Sequence, residues 1–244
     1  MLGVDVYEPM VSEVAVPSLG HANLGLSGVS ARRHAEARPA SLQPMLKRAL
    51  DILGAGALLL LAAPAFALLA LLIRADGGPA FYAHERVGRG DRRFGCLKFR
   101  SMVTDSQARL ATLLDADAAA RAEWEATRKL KDDPRVTRTG RFLRATSLDE
   151  LPQLLNVLRG EMSLVGPRPV VPAELDRYGE ARVYYLQVRP GLTGLWQVSG
   201  RSDLDYARRV ALDAWYVRNW TLWHDVLILL KTLLVVPSRS AGAS

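Results

Sequence analysis

The sequence predicts a mainly α-helical fold with a few short strands: an N-terminal re-entrant membrane helix hairpin, a compact cytosolic α/β catalytic domain, and interfacial amphipathic helices. Three observations carry this. No charged residue occurs from Ile52 to Ile73, and Pro64 stands near the middle of that run. Leucines recur at helical spacing further on, first Leu110, Leu113 and Leu114, then Leu151, Leu154, Leu155 and Leu158. Only Phe81–Tyr82 and Phe94–Met102, set among Gly88, Gly90 and Gly95, read as strands.

The first segment, residues 1–46, reads as a disordered tail rich in Gly, Ser, Pro and Ala. Up to Met45 it holds three arginines against four carboxylates, so of the chain's net +7 the rest carries +8. No basic segment precedes an early apolar run, so this start does not read as a signal peptide.

Residues 47–75 follow as the membrane element. The uncharged run is long enough to cross a bilayer as a helix, but Pro64 removes one helical hydrogen bond and kinks or breaks the helix. Lys47 and Arg48 precede the run, and Arg74, Arg86, Arg89, Arg92 and Arg93 follow it. Basic flanks favour the cytoplasmic side. A helix–break–helix hairpin that enters one leaflet and returns satisfies both flanks, whereas a straight span satisfies one. The straight span with a tolerated proline is the alternative.

Residues 76–236 read as the catalytic domain. Asp105–Leu130 is helical in character and ends at Asp132-Asp133-Pro134, and the Leu151–Leu158 helix stops at Gly160. Trp215, Tyr216, Trp220 and Trp223 lead into an apolar stretch, Val226–Val236, which suits either a helix at a membrane interface or core packing. Residues 237–244 read as a second disordered tail.

Composition narrows the chemistry. A chain of 244 residues with 49% apolar residues has the length for one or two domains with a real core. Its positive excess favours anionic partners: phosphates, nucleic acid or an acidic membrane face. Cys96 is the single cysteine, which excludes an intrachain disulfide and a thiolate-rich metal site. The four histidines are scattered, and no HExxH, P-loop, dinucleotide-binding or nucleophile-elbow pattern occurs. Nucleic acid is not an expected partner, because the arginines sit among prolines and glycines rather than along one helix face.

The sharpest motif is Thr146-Ser147-Leu148-Asp149-Glu150-Leu151-Pro152. Pro152 fits the first turn of the following helix, which puts Asp149 at the N-cap beside free backbone N–H groups. A Ser147–Glu150 capping box is the other register, and it pushes Pro152 deeper into the helix. Arg144, just upstream, adds a charge suited to phosphate. A carboxylate in an anion site makes sense where a metal ion is shared or where the carboxylate attacks phosphorus. Gly166-Pro167-Arg168-Pro169 mounts one arginine stiffly between prolines, either as a phosphate fork or as a solvated loop residue. Only one of Lys98 and Arg100 need face a site if their segment is a strand. Asp213 is a further carboxylate candidate.

Seven segments, in order, resemble the bacterial sugar transferase family, the monotopic polyprenyl-phosphate hexose-1-phosphate transferases. They are Lys47-Arg48-x-x-Asp51, Lys98 to Met102, Asp133 to Thr137, Gly140 to Arg144, Ser147 to Gln153, Ser163 to Pro169 and Arg189 to Arg201. The resemblance spans about four-fifths of the chain. It implies Asp149 as nucleophile with Glu150 as its dyad partner. Arg144, Arg168 between Pro167 and Pro169, Lys98 and Arg201 are implied on the substrate phosphates. Mg²⁺ is implied as cofactor, held by Asp149 with Asp213. The family's re-entrant helix breaks at Ser-Pro, where this chain has Ala63-Pro64. The expected activity is transfer of a hexose 1-phosphate from a UDP-sugar to undecaprenyl phosphate, with UMP released. The expected place is the cytoplasmic face of the bacterial inner membrane, in exopolysaccharide or O-antigen synthesis. A homo-oligomer is compatible with this reading and not required by it.

Overall fold

The apolar run folds as one long helix, α1 (Gln43–Ala75), in a computed structural model that describes residues 42–127, 130–200 and 204–235. Helix α1 begins ahead of the expected boundary at Lys47 because Pro44 occupies its first turn, where a missing N–H is harmless. The rest of both expected tails and Arg201 lie outside the described residues. The expected helix–break–helix hairpin is corrected here: Pro64 stands inside α1 and the helix continues on either side of it, the one hydrogen bond that proline removes being too little to end so long a helix. Asp51, Ala55, Leu59, Ala62, Phe66, Leu69 and Ile73, spaced by three or four, form the buried or half-buried stripe. The opposite face is bare leucine: Leu53, Leu60 and Leu61 are each more than 70% exposed.

An antiparallel hairpin follows, β1 (Phe81–Val87) and β2 (Arg93–Phe99), in the register Tyr82↔Lys98, His84↔Cys96 and Arg86↔Phe94. Its turn passes through Gly90 and Asp91, both at positive φ (67° and 63°). The strand expected to reach Met102 stops at Phe99, and Met102 makes only an isolated bridge to Val136. The expected Asp105–Leu130 helix is in fact two, α2 (Ser106–Ala116) and α3 (Ala118–Thr127). Asp117 separates them: its backbone is extended, and its Oδ1 accepts the N–H groups of Ala119 and Ala120 to cap the second.

Next come α4 (Arg138–Thr146), α5 (Gln153–Arg159) and β3 (Ser163–Val165). After them lie α6 (Pro172–Leu175), α7 (Arg182–Tyr185), β4 (Gly191–Thr193), α8 (Leu195–Val198), α9 (Tyr206–Arg218) and α10 (Leu222–Val235). Strands β3 and β4 pair in parallel over three residues each, too short a segment to leave an alternating pattern in the sequence.

The main core joins Ala55 of α1, Phe94 and Cys96 of β2, Leu154 and Val157 of α5, and Leu212, Tyr216 and Ile228 of the last two helices. A second cluster joins Leu69 and Ile73 of α1 to Phe99 and Leu143. Both halves of α1 therefore pack on the same body. The C-terminal aromatics divide between the two expected roles. Tyr216 is buried, while Trp223 is 64% exposed and shares α10 with exposed Leu230, Leu233 and Leu234.

Candidate active site

The site is assembled by three local devices. Thr137 caps α4, its Oγ1 accepting the Gly140 N–H at 2.9 Å, and a Cβ on Gly140 would overlap the Ser101 carbonyl. That close approach lays α4 on the end of the hairpin and brings Arg144 Nε 2.9 Å from Ser101 Oγ. Ser147 then ends α4 in the left-handed region, at φ 58° and ψ 16°, and turns the chain into a 3₁₀ turn, Leu148–Glu150. Finally, buried Asn156 of α5 accepts the Leu97 N–H at 2.9 Å and donates to the Gly95 carbonyl at 2.8 Å. This clamp fixes α5, and the turn before it, against β2.

The expected placement of Asp149 as the helix N-cap is corrected by this geometry. Pro152 is the N-cap of α5, which starts at Gln153, and the dyad sits in the separate 3₁₀ turn. Ser147 makes no side-chain cap there, so the capping-box register also fails. The physical reason is the left-handed Ser147 followed by Pro152, whose missing N–H interrupts the ladder between the two turns.

Lys98 Nζ lies 2.7 Å from Glu150 Oε1 and 3.8 Å from Asp149 Oδ2. Burial raises the Asp149 pKa above the ordinary carboxylate value and Glu150 pushes the same way, while Lys98 and Arg144 pull it down. Lys98, Asp149, Glu150 and Arg144 therefore form one electrostatic unit.

The Pro-Arg-Pro segment is seated beside it. Gly166 has no room for a Cβ against the Arg189 carbonyl and Gly191, and the Pro167 carbonyl accepts the Gly191 N–H at 2.8 Å. Pro167 is buried, Pro169 is half-buried, and Arg168 projects exposed with its guanidinium 5.9 Å from the Trp196 ring. The Cys96 thiol, pushed by burial to about 11, feels the charges of Lys98, Arg86, Glu150 and Arg168, which places all four around one patch of the hairpin.

Arg86 and His84 were not singled out as site residues from the sequence. The register puts both on the hairpin face that carries Cys96 and Lys98, with Arg86 Nη2 3.3 Å from His84 Nδ1. Burial, then Arg86 and Lys98, lower the His84 pKa. The signal was available only through strand pairing, because β1 reads in sequence as no more than Phe81–Tyr82.

Asp213 stands apart from the dyad. It is buried, accepts a hydrogen bond from Tyr178 Oη at 2.9 Å, and has its pKa pushed up to about 8 by burial. Its Oδ1 makes no close hydrogen bond among the described residues, and the Arg168 charge and backbone N–H pull its pKa down against the burial. No cluster of three or more His, Cys, Asp and Glu converges among the described residues. Mg²⁺ characteristically takes one or two protein carboxylates and completes its shell with phosphate oxygens and water. The adjacent, partly exposed carboxylates of Asp149 and Glu150 fit that habit; the enclosed Asp213 does not.

The arrangement is two carboxylates with Lys98 and Arg144 acting on them, next to the hairpin patch that Arg86 and Arg168 also reach. Residues 42–239 match the family model for "Bacterial sugar transferase". The chain is 58% identical over 197 residues to the "Undecaprenyl-phosphate galactose phosphotransferase" of Salmonella typhimurium. It is 57% identical over 197 residues to the "UDP-galactose-lipid carrier transferase" of Erwinia amylovora. Each match covers 81% of this chain and 41% of the relative, so the chain spans about two-fifths of the length of those proteins. The "Exopolysaccharide production protein ExoY" of Rhizobium meliloti is 53% identical over 193 residues, 79% of this chain and 85% of that protein. The chain belongs to the bacterial sugar transferase family.

Proposed function

We propose that this chain is a phosphoglycosyl transferase that moves a hexose 1-phosphate from a UDP-sugar to undecaprenyl phosphate. The observation that carries this is the Asp149–Glu150 turn, half-buried and held against Lys98, with Arg144 acting on Asp149. Two carboxylates among cations suit displacement at phosphorus, where the cations offset charge on the phosphates and a carboxylate supplies the nucleophile.

A carboxylate oxygen of Asp149 attacks the sugar-bearing phosphorus. The new O–P bond forms as the phosphoanhydride O–P bond breaks, and UMP leaves with that electron pair. An oxygen of undecaprenyl phosphate then attacks the same phosphorus, the aspartyl O–P bond breaks, and the carboxylate is restored. Glu150 holds Lys98 in place, while Arg144, Arg168 and Arg86 bind phosphate oxygens. Mg²⁺, when bound at Asp149 and Glu150, supplies further charge neutralisation.

The lipid acceptor accounts for the apolar helix, since a polyprenyl phosphate presents its reactive end only at the bilayer surface. We place the body on the cytoplasmic face of the inner membrane, at the first step of exopolysaccharide or O-antigen repeat-unit assembly. The galactose in the names of two relatives makes UDP-galactose the donor to test first.

Membrane fractions given a panel of UDP-sugars, Mg²⁺ and undecaprenyl phosphate are expected to release UMP, and Asp149→Asn to lose this by several orders of magnitude. Mass spectrometry of enzyme mixed with donor alone is expected to show a hexose phosphate on Asp149. Normal UMP release by Asp149→Asn overturns the covalent step.

A further inference from the structure

At the end of α5 remote from the dyad lies a cleft of about 600 Å³, lined by Arg89, Arg92, Arg93, Arg159, Arg189 and Glu161 among others. It is separate from the catalytic basin. The seven residues of α5 stand between them, roughly 10 Å at 1.5 Å per residue. Strand alternation also turns Arg93 to the face of β2 opposite Cys96 and Lys98.

The charge in this cleft is not balanced by the protein. Glu161 is the sole acid among the lining residues, and its Oε2 already accepts from Asn156 Nδ2 at 2.6 Å. Arg93 lies 3.4 Å from Asp91, which also binds Arg182 at 2.9 Å. Arg89, Arg92 and Arg159 have no ion pair among the described residues. Arg189 is half-buried and bonded to the Gly160 carbonyl at 2.7 Å. Its pKa is depressed by burial and then by the charges of Arg89 and Arg48.

The walls are also fixed in advance. The Gly88 N–H bonds the Arg92 carbonyl at 2.7 Å, and the Gly90 N–H bonds the Leu186 carbonyl at 2.8 Å. The turn that carries Arg89 and Arg92 is thus tied down with Asp91 held in the left-handed region, and little ordering entropy is left for a ligand to pay.

The position narrows the ligand. Arg48 of α1 bonds the Val157 and Leu158 carbonyls, and its Nη2 lies 3.4 Å from where a Cβ on Gly160 would stand. The cleft's Gly160 edge therefore meets the first turns of α1, the helix that carries exposed Met45, Leu46 and Leu53. Its lining holds no Ser, Thr, Asn or Gln, and its one aromatic, Phe94, is buried. A nucleoside would find no exposed aromatic ring to stack on and a single carboxylate, Glu161, already bonded to Asn156. Charge alone is on offer, in the forked geometry that guanidinium groups present to phosphate.

We propose that this cleft is a second anion site, which takes the phosphate or diphosphate headgroup of a membrane lipid at the bilayer surface. A soluble polyphosphate has the same chemistry, so the test separates the two sources. The full chain in neutral detergent is titrated with short-chain phosphatidylglycerol, short-chain phosphatidylcholine and inorganic pyrophosphate. Wild type, Arg89→Gln/Arg159→Gln, Arg92→Gln/Arg93→Gln and Asp149→Asn are compared by calorimetry. Phosphatidylglycerol is expected to bind the wild type and Asp149→Asn alike, with affinity at least tenfold weaker in each double variant and no binding of phosphatidylcholine. Tighter binding of pyrophosphate than of the anionic lipid, lost in the same double variants, overturns the lipid source. Equal affinity of all four proteins for every probe overturns the site itself.

Discussion

Lys98 is shared unequally between two carboxylates, and that inequality has a consequence for pH. Its ammonium sits 2.7 Å from Glu150 and 3.8 Å from Asp149. Burial keeps the Asp149 carboxyl above its ordinary pKa, and Lys98 is the strongest influence in the opposite direction. On the proposed covalent mechanism Asp149 must be ionised, so activity is expected to fall as the pH drops through this raised value. Removal of the lysine charge raises the Asp149 pKa further, and Lys98→Met is therefore expected to move the acid limb of kcat/KM to higher pH. Lys98→Arg keeps the charge and should leave the limb near its wild-type position; Glu150→Gln removes a like charge and should move it lower. UMP release measured from about pH 5 to 9 distinguishes these outcomes. A slower Lys98→Met enzyme with an unmoved limb would mean that the lysine serves the substrate and not the carboxylate.

At the scale of elements, the first turns of α1 are fastened to the body by polar residues, while Leu69 and Ile73 pack its second half. Lys47 Nζ donates to Asp225 Oδ2 at 2.6 Å and to the Val165 carbonyl at 3.0 Å. Asp225 is fully buried and also accepts from Tyr216 Oη and Trp220 Nε1. One turn further on, Asp51 accepts from Ser163 Oγ and the Leu164 N–H, both at 2.9 Å. Deletion of one partner of a buried pair leaves the other charge uncompensated, so Lys47→Met should destabilise the protein by about 3–5 kcal/mol. Denaturant unfolding in detergent checks this, and a loss below about 1 kcal/mol would mean that Tyr216 and Trp220 satisfy Asp225 unaided. These ties also show what the sequence makes legible. The uncharged run, the leucine repeat around Leu154 and the Gly160 stop are local patterns that reappear in the structure, whereas the break expected at Pro64 does not. Lys47 and Asp225 are 178 residues apart, and no periodicity announces their meeting. The dyad was visible as chemistry, but its turn depends on a left-handed Ser147 that no propensity favours. Arg86 joined the site only once the register of the hairpin was known.

At the scale of the whole molecule, what the two ends of α1 touch supports the proposal that both lie on one side of a membrane. Asp51 and Ala55 pack on β3 and α5, and Leu69 and Ile73 pack on Phe99 and Leu143 of the same body. Arg100 closes the far end, its Nη2 donating to the Ile73 carbonyl at 2.7 Å. If α1 crossed a bilayer from end to end, this body would have to lie alongside it within the hydrocarbon. Arg48, Lys98 and Arg100 would then stand at membrane depth, where each charge is costly. A shallow path that starts and finishes on one side keeps them in water and turns only the bare leucine face to lipid. The single native cysteine makes the test clean, because Cys96 is buried and its thiol pKa is near 11, so it stays unreactive at neutral pH. Cysteines introduced at exposed Met45 and Asp76 flank the apolar run. In intact spheroplasts an impermeant maleimide is expected to label neither Met45→Cys nor Asp76→Cys, and to label both once the membrane is opened. Labelling of one flank alone from outside would put the ends of α1 on opposite sides. The contacts that join Ile73 to Arg100 and Lys47 to Asp225 could not then coexist in one water-exposed body.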